Sequence, residues 1–500
     1  MAATASPLPP PTPLPRLPMA CCFLTQLSFA VFVTMPFTTF VYMVQDLYPG
    51  RSETFLAART GLLASLSNLS MFVTSVPWGL ASDRRGRRPV LLVGACSAAL
   101  TMFALGCARS YAFACFARVL GGLLNGSLGT MKAIIADVTD ASNAPRAFAG
   151  LSVAWGLGAV AGPAIGGLLS RPCVEGGLLA GSLFCVPGGL LTSRPYFIPC
   201  LVSSLLCAAS GVLAWRLEET LGLQWKAPVQ QRAHPEGCTE EVAPLLSDEV
   251  ELREQNGERR EHDEHLSEAL PVVQEAFHAP APPVRWFRDR QCVLCLLGYG
   301  LCAFIFIQLD ELLPLFAAAP VASGGLGLTP RGLSAPLAWN GLVVFLFTLL
   351  AYPPLVARWG LRFATRGGFW ATAGATLAVP VASLAAPPLS MVLLYAAVSA
   401  RGAAAVTVFT SSMILVNRGA PFGQLGEVNG AGQALAALVR GLGPAIAGLE
   451  WGSSVRSSVA GSQFAAFITV AATALLGVAL YGRVRFEEEE TQEARTTAAS

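Results

Sequence analysis

The sequence predicts an all-α polytopic membrane protein, with twelve transmembrane helices in two six-helix halves. Three observations carry this. The 500 residues are 53% hydrophobic and only 13% charged, with a mean hydropathy of +0.55, whereas soluble domains carry roughly 25% charged residues. The charges are segregated, 24 of the 64 falling between Glu218 and Arg290. Apolar stretches near the ~20 residues that cross a bilayer recur along the rest. This composition excludes a water-soluble enzyme, a nucleic-acid binder and a disulfide scaffold.

Hydropathy and punctuation place the spans near 20–47, 60–81, 89–108, 112–136, 147–169, 196–216, 291–318, 336–357, 364–384, 389–415, 424–449 and 460–482. Backbone polar groups in lipid must satisfy one another, so these are helices. The chain divides into a Pro-rich disordered tail (1–19), a first bundle (20–216), an acidic, mostly disordered loop (217–290), a second bundle (291–482) and an acidic tail (483–500). The first apolar stretch is too long for a cleavable signal core. With the N-terminus cytoplasmic, the short inner segments hold twelve arginines and the opposite side seven. That places both termini and the long loop in the cytoplasm.

The halves echo one another. Gly162-Pro163-Ala164-Ile165-Gly166-Gly167 returns as Gly443-Pro444-Ala445-Ile446-Ala447-Gly448. Arg84-x-Gly86-x-Arg88 returns as Arg358-x-Gly360-x-Arg362, and Ala117-Arg118 as Ala400-Arg401. Three echoes at nearly constant offset argue for a duplicated six-helix unit with a substrate site between the halves.

The strongest local pattern is Gly79-Leu80-Ala81-Ser82-Asp83-Arg84-Arg85-Gly86-Arg87-Arg88, a tight turn between the second and third spans. The arginines suit an inner membrane edge, and Gly86 suits a turn that Cβ-bearing residues resist. Asp83 at that edge needs a cationic partner or a helix N-terminus, which makes the turn a latch as well as an anchor. This segment resembles the loop signature of the major facilitator superfamily. Gly162-Pro163 with Gly166-Gly167 is similar to that superfamily's antiporter segment, Arg118 to its buried fourth-helix arginine, and Glu218-Glu219-Thr220-Leu221 to its sixth-helix ending. Finer likeness is to zinc-induced-facilitator-like and tetracycline-efflux-like proton antiporters. It rests on Asp46, Ala154-Trp155-Gly156-Leu157-Gly158, Arg194-Pro195-Tyr196-Phe197-Ile198-Pro199-Cys200, Asp310-Glu311 and Gly324-Gly325-Leu326-Gly327. Ala357 stands where the second-half loop would carry an acid. The resemblance implies that Asp83 pairs toward residues 423–427 and Arg87 with Asp137. Both contacts would hold the cytoplasmic gate shut and break when the cavity opens inward.

Arg118, Asn125 and Lys132 recur every seven residues, which puts them on one helix face. Charges in a span are costly and face a cavity or a partner, so this stripe favours a solute with a carboxylate or other anionic group. Arg401 joins it as the repeat partner of Arg118. Asn429, Gln433 and Arg440 share a face of the eleventh span, where substrate contact and helix–helix pairing are both open.

Proton coupling needs a carboxyl that is neutral in one state. Asp310 is the first choice, with Asp46 and Glu311 beside it. Gly158, Gly162 and Gly166 form a small-xxx-small surface for close helix packing.

The 13 cysteines sit mostly in apolar runs, where disulfides are not needed. Cys21-Cys22 reads as small residues at a helix start, with metal binding or acylation as the alternative. His234, His262, His265 and His278 all lie in the long loop, within a solvated charge run.

No phosphate-binding fingerprint, cofactor site, metal site or enzyme chemistry is expected. The expected activity is secondary transport of a small organic solute (an organic anion, metal chelator or drug-like molecule) by alternating access in exchange for protons. The setting is a monomer in a vacuolar, other endomembrane or plasma membrane. The alternatives are a non-transporting sensor or scaffold signalling through the long loop, and an uncoupled uniporter.

Overall fold

The computed structural model describes residues 13–139, 143–174, 177–221, 285–421, 425–457, 459 and 461–485. The four histidines and most of the 217–290 loop, the N-terminal tail and the C-terminal tail lie outside them. Among the described residues there is no strand.

The first half runs α1 (Arg16–Thr34), α2 (Pro36–Leu47), α3 (Glu53–Arg85), α4 (Arg87–Gly106), α5 (Tyr111–Leu123), α6 (Ser127–Val138), α7 (Ala144–Leu169), the single turn α8 (Leu190–Ser193) and α9 (Phe197–Arg216). The second half runs α10 (Arg290–Ala318), α11 (Pro330–Leu346), α12 (Tyr352–Val381), α13 (Leu389–Arg418), α14 (Leu425–Arg456) and α15 (Ala465–Tyr481). Among the described residues ten stretches are long and apolar enough to span. One of them, Pro330–Leu384, is 55 residues long and turns at Gly360, so it contains two passes, and Val153–Leu169 supplies the remaining one. The total is twelve.

Local chemistry sets the boundaries. Ser52, Ser110 and Thr329 accept the first free amides of α3, α5 and α11, and Asp289 does so for α10. Pro36 opens α2 where its missing N–H interrupts the first pass. Gly86 (φ 109°, ψ 157°) and Gly360 (φ 77°, ψ 166°) turn the chain in the two halves. Both occupy a region essentially restricted to glycine, at the positions the internal repeat makes equivalent.

Two expectations are corrected. The fourth pass is not one helix: it breaks between Leu123 and Ser127. The exposed carbonyls are met by Trp78, whose indole donates to Leu123 O at 2.7 Å, and Ser97, which donates to Leu124 O. And the cysteines are not all unpaired: Cys173 and Cys185, between α7 and α9, form a disulfide. The stretch between the spans at 147–169 and 196–216 is the expected connection, and the disulfide within it is the unexpected part.

Among the described residues the halves meet at one end only. We name the ends after Asp46 and Asp83. Near the Asp46 end, α3 lies on α14: Thr54 donates to Gly452 O at 2.9 Å, Ala445 N to Ser65 Oγ at 2.9 Å, and Asn68 to Arg440 O at 3.4 Å. There too, α7 lies on α11, with Gly341 against the backbone of Ala159, and Tyr42 donates to Leu328 O at 2.6 Å. Further along the same face of α3, Val76 is 65% exposed and Gly79 has open space around it. Among the described residues the bundle is therefore closed at the Asp46 end and open at the Asp83 end.

Candidate functional site

Arg118 sits where the halves converge. It is buried on α5, donates to Ser67 Oγ, and lies 5.3 and 5.1 Å from the ring centroids of Phe32 and Phe40. Its Nε and Nη1 have no hydrogen-bond partner. The acid whose charge reaches it is Glu311, on α10 of the other half, 3% exposed and with Oε1 also unpartnered. A buried arginine and a buried carboxyl, both under-satisfied, thus lie within electrostatic reach of one another across the halves.

Arg401 is different. It is equally buried, but its Nη1 donates to Asp310 Oδ1 at 2.7 Å. Asn340, with its amide oriented to satisfy both atoms, accepts from Nη2 at 3.0 Å. Asp310 is thus held inside its own half. Asp46 is held too: Arg171 donates to both carboxylate oxygens at 3.0 and 2.6 Å, and Tyr196 at 2.6 Å.

The rest of the predicted stripe disperses. Asn125 lies in the break between α5 and α6, where its Oδ1 accepts from Ser127 N; it caps α6 and does not continue the Arg118 face. Lys132, on α6, lies within electrostatic reach of Arg440. Asn429 donates to Asn417, and Gln433 to Tyr299 OH at 3.3 Å. Both line a small recess with Met413, Val416 and Gly432, inside the second half.

At the Asp83 end, Arg87 donates to Asp83, to Ser82 and to Asp137 at 3.2 Å. Arg88 donates to Trp215 O at 2.5 Å. The carboxylate of Glu219 accepts the backbone N–H groups of Arg87 and Arg88 at 2.7 and 3.1 Å. Burial works to raise its pKa, but the amides of Leu221, Arg87, Arg88 and Thr220 together hold the carboxyl below its ordinary range. Gly86 is needed twice here: besides its φ, a Cβ would stand 2.3 Å from Glu219 Oε2.

The expected Arg87–Asp137 contact is present, between two residues of one half. Asp83 pairs with Arg87, one turn on, and its side chain is 62% exposed. Residues 422–424, part of the stretch toward which Asp83 is expected to pair, lie outside the described residues.

The antiporter-like glycines pack on the first pass. A Cβ at Gly158, Gly162 or Gly166 would strike Ala30, Thr34 or Thr38 at 2.4, 2.0 and 2.1 Å. Gly167 faces Ser334 of the other half. Cys21 and Cys22 are fully buried against Met131, Ile134 and Ile135, as small apolar residues.

The profile of the Major Facilitator Superfamily matches residues 21–444. The chain belongs to the major facilitator superfamily, whose members carry small solutes across membranes. It is 27% identical to the zinc-induced-facilitator-like protein 1 of Arabidopsis thaliana over 91% of this chain and 88% of that one. It is 26% identical to the multidrug transporter mfsB of Aspergillus fumigatus over 79% and 71%. Among solved structures, a D-xylose–proton symporter superposes with a TM-score of 0.64 at 14% identity, covering 94% of this chain and 97% of that one. The human organic anion transporter MFSD10 does so with 0.56 at 22%, covering 94% and 100%. These two establish likeness of fold.

Proposed function

We propose that this chain exchanges a small organic anion for protons by alternating access, with Glu311 as the coupling acid. One observation carries the reading: Glu311 is a buried carboxyl within electrostatic reach of a cation of the opposite half, Arg118, instead of being held by one within its own. A buried carboxyl is neutral unless a cation is near. Rocking of the halves changes that distance, and with it whether Glu311 keeps a proton. An incoming anion competes for the two unpartnered nitrogens of Arg118, so solute and proton displace one another. Asp310 and Asp46, each locked to an arginine of its own half, suit the role less well.

The arginine distribution supports a cytoplasmic Asp83 end. The Cys173–Cys185 disulfide, at the other end, supports an oxidising compartment there. In this reading the structure is the inward-open state. The zinc-induced-facilitator and multidrug relatives support an organic cargo.

The test is uptake of an organic-anion panel into proteoliposomes with and without an imposed pH gradient. The parent protein should be accelerated by the gradient. Glu311→Gln should lose that acceleration while keeping solute–solute exchange. Parent uptake indifferent to the gradient removes the antiport; a fully gradient-driven Glu311→Gln variant removes Glu311 from the mechanism.

A further inference from the structure

The connection between α7 and α9 is not built like an aqueous loop. Residues 170–196 join two passes whose ends are pinned together, since Arg171 N donates to Pro195 O at 2.8 Å. Arg171 is further fixed by Asp46 and Tyr196. Between Arg171 and Arg194 the sequence holds one charged residue, Glu175. Leu183 is 94% exposed and Phe184 72%, and Val174, Leu178, Val186 and Leu190 are each about half exposed or more. Contiguous apolar surface of this kind marks a binding or membrane-contacting surface.

We infer that this loop is a membrane anchor that inserts Leu183 and Phe184 into the leaflet at the Asp46 end. Three observations select lipid as the occupant. Both feet of the loop are span ends, so it starts at the bilayer surface. The Cys173–Cys185 bond folds the chain back on itself, which keeps the tip within reach of that surface. And the described residues between Arg171 and Arg194 carry no charged side chain, unlike the polar rim of a protein interface and like the apolar face that interfacial segments bury in a leaflet. This inference is independent of the transported solute and of proton coupling.

Full-length protein reconstituted into phosphatidylcholine vesicles, with a fraction of the lipid carrying a diazirine on its acyl chain, tests the idea. After irradiation, mass spectrometry should find lipid adducts on residues 178–186 at yields like those of exposed span residues such as Leu100 and Leu476. A Leu183→Glu/Phe184→Glu variant should lose the loop adducts and keep those of the spans. Adducts on the spans with none on the parent loop would overturn the proposal, whether the tip stood in water or was covered by another polypeptide. Loop adducts unchanged in the double variant would also overturn it.

Discussion

The two halves descend from one plan and treat the same arginine differently. In the second half Arg401 is closed off by Asp310 and Asn340. In the first, Arg118 makes one hydrogen bond, to Ser67, and otherwise looks across to Glu311. The turns differ likewise. The Gly86 turn is tied down by Asp83, Asp137 and Glu219, whereas the Gly360 turn has Ala357 in place of the acid. A duplicated fold keeps its backbone solution twice and needs its unpaired charge once.

The arginines give the largest test of this contrast. A hydrogen bond to a charged group is worth about 1.5–3 kcal/mol, so Arg118→Met should weaken solute binding by about 10- to 150-fold, read as KM in vesicles, with little loss of thermal stability. Arg401→Met should do the reverse, lowering the melting temperature, with stability returning in Arg401→Met/Asp310→Leu because the stranded carboxylate is then gone. Equal effects of the two single changes on KM would erase the contrast.

Next come the turns. Gly360→Ala should cost about 1–3 kcal/mol from backbone strain alone, while Gly86→Ala meets that strain and the Glu219 carboxylate as well. Its denaturation midpoint should fall further.

Smallest is Glu219→Gln, about 1 kcal/mol by analogy with a lost helix cap. Because the folded carboxyl lies below its ordinary value of 4.5, the stabilisation is complete above that pH and fades as pH falls through the folded value. Parent and variant melting temperatures should therefore converge in acid.

The fold was legible because hydropathy is written over whole spans and because three sequence echoes fell at equivalent helices. Arg118, Arg87 with Asp137, and the glycines of α7 were legible because charge or a glycine row in a span is rare enough to stand out. What the sequence hid was direction. Asp310 and Glu311 are adjacent, yet a helix turns about 100° per residue, so one carboxylate reaches Arg401 and the other the crevice; composition treats them alike. Asn125 was placed on the Arg118 face because an unbroken helix was assumed, although Gly122 and Gly126 mark the interruption. The Cys173–Cys185 pairing was hidden because its partners stand in apolar chain, where a thiol and a disulfide are equally at home.

Every ion pair named above lies within a single half. The described hydrogen bonds that close the Asp46 end, from Tyr42, Thr54, Asn68 and Ala445, are between neutral groups. The charge partnership that does cross the halves, Arg118 with Glu311, is buried, where dissolved ions screen little. Ionic strength therefore has little hold on that partnership, and the motion answers to packing, to the proton and to the cargo.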